Sequence, residues 1–247
     1  MSGHSKWKTI KRQKGANDAK RGQAFTKLSM AITLAVKQGG GIGDPNKNFR
    51  LRLAIDAARA VNMPKDTIER AIDRAAGKQQ DEMEEVHYEG FGPGGVSVMV
   101  DAITDNKQRT TPEIKSLFDK NGGVLGNPGT VAYQFQQVGQ IILEKPSMSL
   151  DNIFMLAADA GAEDLLQDGA DVVIYTKPEN LSQVSDSLRQ SNLSILESAI
   201  IQKPTLYKEL PTQEEADKFT VFIEKIEDHQ DVQNVFHNAS FVGTPNS

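Results

Sequence analysis

Clustered lysines and arginines near the N-terminus are the residues whose type and spacing most clearly indicate a chemistry. Residues 2–16 carry five basic side chains, no acidic one and a single tryptophan, Trp7. The basic residues of this arm are Lys6, Lys8, Lys11, Arg12 and Lys14. Lysines bind phosphates as point charges, and an exposed indole can stack on a nucleobase. The arm therefore predicts contact with a polyanion.

Further cations follow on two predicted helices, and they extend the predicted binding surface. They are Lys20, Arg21, Lys27, Arg50, Arg52 and Arg59. An arginine can contact a phosphate or a base edge through two parallel hydrogen bonds. Arg52 and Arg59 share a helix face with Asp56 between them, so the same spacing also fits a surface ladder of salt bridges.

The distribution of charge along the chain favours the nucleic-acid interpretation. Residues 1–78 hold 17 of the 28 basic side chains and 6 of the 33 acidic ones, a local net charge of +11. The remaining residues carry a net charge of −16. Such asymmetry is typical of a polyanion-binding module attached to an acidic body. DNA and RNA are the partners that this pattern predicts.

Other motifs with possible chemistry have weaker support. GFGPGG (Gly90–Gly95) matches the dinucleotide-binding pattern, but a strand rather than a helix is predicted to follow it. The glycines therefore predict a tight turn, and a nucleotide-cofactor enzyme stays a remote alternative. The four histidines are scattered, and no phosphate-binding P-loop sequence occurs. No catalytic residue, metal, cofactor or small-molecule substrate is predicted, and we expect a protein that is not an enzyme.

The composition predicts a cytoplasmic protein. The chain has no cysteine, which excludes disulfides and thiolate zinc sites and fits a reducing compartment. The N-terminus lacks the apolar segment of a signal peptide, and no apolar run is long enough to span a membrane.

Periodicity predicts a multi-domain chain of the α and α+β classes. Apolar residues at helical spacing indicate helices from about 17 to 38, from near Pro45, and from Pro64 to Gly77, which together form a basic three-helix bundle. An acidic linker, 78–86, ends this part.

Strand and helix patterns alternate after the linker. Predicted strands at 96–103 and 130–136 flank a helix at 111–121, and residues 140–201 read β-α-β-β-α-β, the order of ferredoxin-like domains. A last helix and strand, 212–227 and 231–236, lack a sheet of their own. We therefore predict domains at 1–79, at 80–137 joined with 205–247, and at 138–204, the last two being α+β domains of ferredoxin-like type.

Six ordered sequence blocks spread over the chain resemble the YebC family, which has mitochondrial translation-activator relatives. They are GHSKW (Gly3–Trp7), DAKRGQAFTKL (Asp18–Leu28), NFRLRLAIDAARAVNMPKDTIERAI (Asn48–Ile72), YEGFGPGG (Tyr88–Gly95), DNKQRT (Asp105–Thr110) and DVQNVFHNA (Asp231–Ala239). The sequence departs from the family's blocks at Pro128 and over 144–205.

The resemblance implies three domains, one all-α and two α+β, and no known enzymatic activity. It further implies a probable transcriptional regulator that binds double-stranded DNA. Relatives tied to translation imply an alternative, a ribosome-associated factor that binds rRNA or tRNA. In that alternative GFGPGG and DNKQRT form a contact through exposed backbone.

Overall fold

A computed structural model describes residues 18–77 and 83–241, with side chains from residue 20. Within these ranges it contains seven α-helices: α1 (Asp18–Gln38), α2 (Phe49–Ala60), α3 (Lys65–Ala76), α4 (Lys107–Lys120), α5 (Leu150–Asp159), α6 (Leu181–Gln190) and α7 (Gln213–Glu227). The strands of the same ranges are β1 (Glu84–Gly92), β2 (Val96–Thr104), β3 (Val124–Leu125), β4 (Phe135–Leu143), β5 (Ala162–Asp168), β6 (Asp171–Thr176), β7 (Ile195–Pro204), β8 (Lys208–Leu210), β9 (Val232–His237) and β10 (Ala239–Phe241).

Helices α1, α2 and α3 form the predicted bundle around one apolar core. Its fully or nearly fully buried residues include Ile32, Val36, Leu51, Ile55, Ala58, Ile68 and Ala71. Asn48 fixes the connection between α1 and α2, because its side chain accepts the Leu51 N–H and donates to the Ala35 carbonyl at 2.8 Å. A Cβ at Gly39 would collide with that amide, and Gly40 and Gly41 adopt positive φ. The glycine run therefore ends α1, whose last residue, Gln38, agrees with the predicted end.

The first sheet has the strand order β3-β1-β2-β9 and is antiparallel. Helices α4 and α7 pack on one of its faces, with Phe118, Phe219 and Phe222 completely buried in the shared core. A short parallel pair, β8 with β10, lies beside them. This unit takes strands from both sides of residues 135–204, so it is discontinuous in sequence.

The second sheet has the order β5-β6-β4-β7, and its connections read β-α-β-β-α-β. That order and connectivity are ferredoxin-like, with α5 and α6 against one face. The predicted fold class is confirmed, an α-helical bundle followed by two α+β units. The domain limits 1–79, 80–137 with 205–247, and 138–204 stay a prediction.

Two local predictions are wrong. Strand β1 was expected to be linker and turn, but it pairs with β2 along its whole length, from Glu84 opposite Thr104 to Gly92 opposite Val96. The strand expected at 130–136 is instead a loop and a 3-10 turn, Ala132–Gln134, that leads into β4. Both segments meet at one buried carboxylate, that of Glu89.

Glu89 lies on β1 and holds the loop before β4 in its non-extended conformation. Its carboxylate accepts hydrogen bonds from the backbone N–H groups of Gly129, Val131 and Ala132, at 2.7, 2.8 and 2.9 Å. Burial by itself raises the pKa of Glu89, but these hydrogen bonds outweigh it, so the pKa lies below its ordinary value. The N–H groups that a strand ladder would have used are thus bound to a side chain.

The two sheets share a second apolar core. Met99 and Phe236 of the first sheet pack against Val131, Val138 and Ile201, which belong to or precede the second. The Glu89 loop contributes Val131 to this contact. Its conformation therefore affects how the two sheet units meet.

We predict that Glu89→Gln lowers the free energy of unfolding by about 1–3 kcal/mol at pH 7, since an amide presents only one acceptor oxygen to the three donors. Because the folded pKa lies below the unfolded value of about 4.3, this contribution is present above that pH and is lost as the pH falls through the folded pKa. Urea unfolding of wild type and variant from pH 7 to pH 3.5 measures this contribution. The difference between their free energies of unfolding should narrow below about pH 4. The exposed Glu209→Gln is the matched control, expected to change stability by less than about 0.5 kcal/mol. Equal stability of Glu89→Gln and wild type at pH 7 would contradict the assignment.

Candidate nucleic-acid interface

The predicted binding residues fall into three groups, and the structure describes two of them. The arm residues Lys6, Trp7, Lys8, Lys11, Arg12 and Lys14 lie outside the described residues. Lys20 and Arg21 are exposed near the start of α1. The remaining cations, Lys27, Arg50, Arg52 and Arg59, lie further along α1 and α2, and most of them contact the acidic body.

Lys27 docks the bundle onto the first sheet unit. Its ammonium group donates to the backbone carbonyl of Glu227, the last residue of α7, and Gln23 donates to the next carbonyl, that of Asp228. The final carbonyls of a helix lack partners within the helix and carry partial negative charge. A lysine at that position is therefore favourable for docking, and its charge is turned away from solvent.

Arg52 and Asp56 dock the bundle onto the second sheet unit through paired opposite charges. Arg52 contacts Asp186 at 3.3 Å and also donates to Ser182, while Asp56 contacts Arg189 at 2.7 Å. The contacting residues of α6, 182, 186 and 189, share one face of that helix. Residues 52 and 56 likewise share one face of α2. The two helices thus present charges in reciprocal order.

The expected surface ladder is only partly present. Asp56 does pair with Arg59, at 3.7 Å, but Arg52 turns to Asp186 on α6. The sequence spacing is correct for a ladder, yet a partner 134 residues away takes the guanidinium. Arg50 contacts Gln38 and, at 3.8 Å, Glu85 at the start of β1.

The bundle exposes cations that the sequence interpretation omitted. Lys47, Lys65, Arg70 and Arg74 are exposed on the loop before α2 and on α3. Lys47 pairs with Asp44 at 3.9 Å and Lys65 with Glu69 at 3.4 Å, both on the solvent side. A count of cations along α3 would have found Lys65, Arg70 and Arg74, although Asp66, Glu69 and Asp73 alternate with them.

The GFGPGG motif forms the turn of the β1–β2 hairpin. Pro93–Gly95 is a 3-10 turn, and Gly94 and Gly95 have φ of 75° and 73°. A Cβ at Gly92 would lie 2.9 Å from Phe219 and 3.0 Å from Phe222 of α7. The glycines are thus required by turn conformation and close packing, and β2 occupies the place where a dinucleotide fold would have its helix.

The DNKQRT and DVQNVFHNA blocks meet in a polar latch at one end of the first sheet. Asn106 caps α4 by accepting the Arg109 N–H, and the buried Asp231 accepts from the Thr110 hydroxyl at 2.6 Å and from Arg109 at 3.0 Å. The Asp231 carbonyl also accepts the Ile103 N–H, which extends the sheet. The latch joins the start of α4 to the start of β9.

Glu113, His229 and Asp231 lie within 4.8 Å of one another beside this latch. The His229 Nδ1 atom accepts the Asp231 N–H, so its Nε2 carries the proton that is donated to Glu113 at 3.0 Å. A protonated nitrogen is not a metal ligand, and Arg109 already neutralises Asp231. The chemistry of this group therefore fits hydrogen bonding rather than ion binding.

None of the helices in the two described ranges is long and apolar enough to cross a membrane.

Comparison with known proteins identifies the family. A family model described as the TACO1/YebC protein N-terminal domain matches residues 5–78, and one described as the TACO1/YebC second and third domain matches residues 83–239. The chain belongs to the TACO1/YebC family. The resemblance drawn from the six sequence blocks is confirmed.

Individual relatives match along nearly their whole length. A probable transcriptional regulatory protein of Desulfitobacterium hafniense is 44% identical over 244 residues, covering 98% of this chain and 96% of the relative. One from Geobacillus thermodenitrificans is 46% identical over 241 residues, covering 96% of each. The crystal structure of a conserved hypothetical protein, Aq1575 of Aquifex aeolicus, matches with a TM-score of 0.82 and 38% identity over 93% of both chains.

We predict that Arg52→Asp lowers the melting temperature of the full chain by about 2–4 °C, since it replaces a half-exposed ion pair with two facing carboxylates. Adding Asp186→Arg to the same chain should restore most of the loss, because the pair is re-formed in the opposite order. Lys65→Asp, an equal charge reversal on the solvent side of the bundle, should shift the melting temperature by less than about 1 °C. A double variant no more stable than the Arg52→Asp variant would show that the two side chains are not coupled.

Proposed function

We propose that this chain is a non-enzymatic nucleic-acid-binding regulator of gene expression that binds phosphate backbones through its N-terminal region. The observation that carries the proposal is the separation of charge, with a net charge of +11 in residues 1–78 on a body of −16. Cations that replace the counterions condensed on a nucleic acid gain free energy of binding, whatever the base sequence. The proposal includes a cytoplasmic location, where such ligands are found.

The docking contacts sort the basic residues by role. Lys27, Arg50 and Arg52 contact the acidic body, so we assign them chiefly to positioning the bundle. Lys20 and Arg21, together with Arg59 and the arm, are then the principal candidates for phosphate contacts. The exposed cations of α3 add a secondary surface, weakened by the acidic side chains between them.

Double-stranded DNA is the first candidate ligand, because relatives that match along the full chain are named probable transcriptional regulatory proteins. Phosphate contacts alone position a protein on a duplex but do not read its sequence. We therefore expect binding to DNA with weak dependence on base sequence.

Structured RNA, as on a ribosome, is the second candidate, and a particular contact favours it. Phe49 and Leu53 of α2 pack on the core of the second sheet unit, which covers one side of the helix that carries Arg50 and Arg52. A covered helix is poorly suited to enter a DNA major groove. Folded RNA is recognised mainly by shape and backbone, which an arm and an exposed helix end can contact.

The deciding experiment titrates the full chain with a duplex DNA and with a structured rRNA fragment of equal length, each in competition with the other. Stronger binding of DNA supports the transcriptional role, and stronger binding of RNA supports the ribosomal one. Absence of binding to both at about 50 mM salt would overturn the proposal, since phosphate contacts are strongest at low salt.

We predict that the double variant Lys20→Ala/Arg21→Ala weakens binding to either ligand and reduces the slope of log affinity against log salt by about two units, one per lost phosphate contact. Lys218→Ala is the matched control, because Lys218 is an exposed lysine of α7 paired with Glu214 at 2.7 Å on the acidic body. Arg52→Ala should leave the slope unchanged, since its charge is used in docking. An unchanged slope in the double variant would remove Lys20 and Arg21 from the interface.

A further inference from the structure

An aromatic surface lies far along the chain from the basic region, where the chain enters and leaves the second sheet. Tyr133, in the 3-10 turn before β4, exposes 73% of its surface. Leu206 and Tyr207, in the segment between β7 and β8, expose 59% and 41%. We call these three residues the junction patch. Large apolar side chains exposed together on a soluble domain often mark a contact site.

The two segments of the patch are adjacent because one backbone carbonyl joins them. The carbonyl oxygen of Gln134 accepts hydrogen bonds from the Thr205 N–H at 2.8 Å and from the Thr205 hydroxyl at 3.0 Å. Tyr133 therefore lies one residue from this contact on one side, and Leu206 one residue from it on the other.

Hydrogen bonds fix the backbone on both sides of Tyr133. Glu89 binds the N–H groups of Val131 and Ala132, and the Gln134 side-chain oxygen accepts from Ser97 at 3.0 Å and from Asn238 at 2.9 Å. The Gln134 side-chain amide donates to the Tyr133 hydroxyl, also at 3.0 Å. Side chains positioned before binding lose less entropy when a ligand arrives. The ring is thus a preorganised platform.

The charge around the patch differs from that of the acidic body. Residues 129–138 contain no charged side chain, and residues 201–208 contain Lys203 and Lys208 without an acid. Lys203 lies over the ring of Tyr175 at 3.7 Å and also pairs with Asp164 at 3.7 Å. Burial raises the pKa of Tyr207, so its hydroxyl remains a neutral donor at physiological pH. Exposed tyrosines with nearby lysines are the components of a site for single-stranded nucleic acid.

We propose that the junction patch stacks an unpaired base of a nucleic acid, with Tyr133 as the platform and the exposed Lys208 facing a flanking phosphate. The inference rests on the proposed function, which it deepens by adding a second contact that selects unpaired over fully paired segments. Every nucleobase offers a π-face to an aromatic ring, so the site should tolerate any base. The unpaired base can belong to RNA or to DNA.

The test measures binding of the full chain to four labelled probes by fluorescence anisotropy at about 100 mM salt. The probes are an RNA hairpin with an unpaired loop, the blunt RNA duplex of the same stem, and the two DNA counterparts. Wild type should bind hairpins more tightly than blunt duplexes by about 5- to 150-fold, the range that one stacked base contributes. Preference for the RNA hairpin alone identifies RNA as the source, and equal preference for both hairpins supports either source.

Tyr133→Ala should abolish the preference for hairpins and leave affinity for blunt duplexes unchanged, since the bundle still binds the stem. Tyr133→Phe keeps the ring and should keep the preference, losing only the hydrogen bond from Gln134. Phe154→Ala removes another exposed aromatic ring, 53% exposed on α5, and should have no effect. Tyr207→Ala provides a second, independent test of the patch.

Two outcomes would overturn the inference while the proposed function stands: equal binding of hairpins and duplexes by wild type, or a hairpin preference that survives Tyr133→Ala. Absence of binding to all four probes would overturn the proposed function itself.

Discussion

Reciprocal ion pairing between α2 and α6 is the contact on which the arrangement of the basic surface depends. Arg52 faces Asp186 and Asp56 faces Arg189, so two helices from distant parts of the chain match charges in order. Apolar contacts from Phe49 and Leu53 complete the interface. At its other end the bundle places Lys27 against the last carbonyl of α7. Docking at both ends turns some cations inward, and it leaves the start of α1, Arg59 and the outer side of α3 exposed.

The same helix serves two cores. Leu51, Ile55 and Ala58 of α2 face the bundle, whereas Phe49 and Leu53 face the second sheet unit. Because both faces are apolar, α2 cannot leave one core without exposing surface that water solvates poorly. We infer that the bundle is held in a defined orientation on the body.

Local pattern was sufficient to predict much of this fold, and the misses have physical causes. The bundle and the β-α-β-β-α-β unit follow from apolar spacing that each segment carries in itself. Strand β1 was missed because EEVHYEGFG begins with acids and ends with glycines, and its pairing with β2 is set by the hairpin turn. The strand predicted after Gly129 is a loop because its N–H groups bind Glu89. That residue lies forty positions earlier, so no local pattern reveals the contact.

The charge of the candidate site was predictable, but which of its cations dock the bundle and which are free to bind phosphate was not. Lysine and arginine counts located the basic region, but they gave equal weight to Arg52 and Arg59, of which the first is committed to Asp186. Tyr133 carries no sequence signal of exposure, since it lies inside the strand predicted at 130–136 among apolar residues.

The dependence of affinity on salt tests the central claim most directly. For the full chain titrated with a duplex nucleic acid between about 50 and 200 mM salt, about 6–10 phosphate contacts predict a linear fall in log affinity with a slope near −5 to −9. Removal of residues 1–17 should reduce that slope by several units, since this segment includes Lys6, Lys8, Lys11, Arg12 and Lys14. A slope near zero, or one unaffected by that removal, would contradict the account.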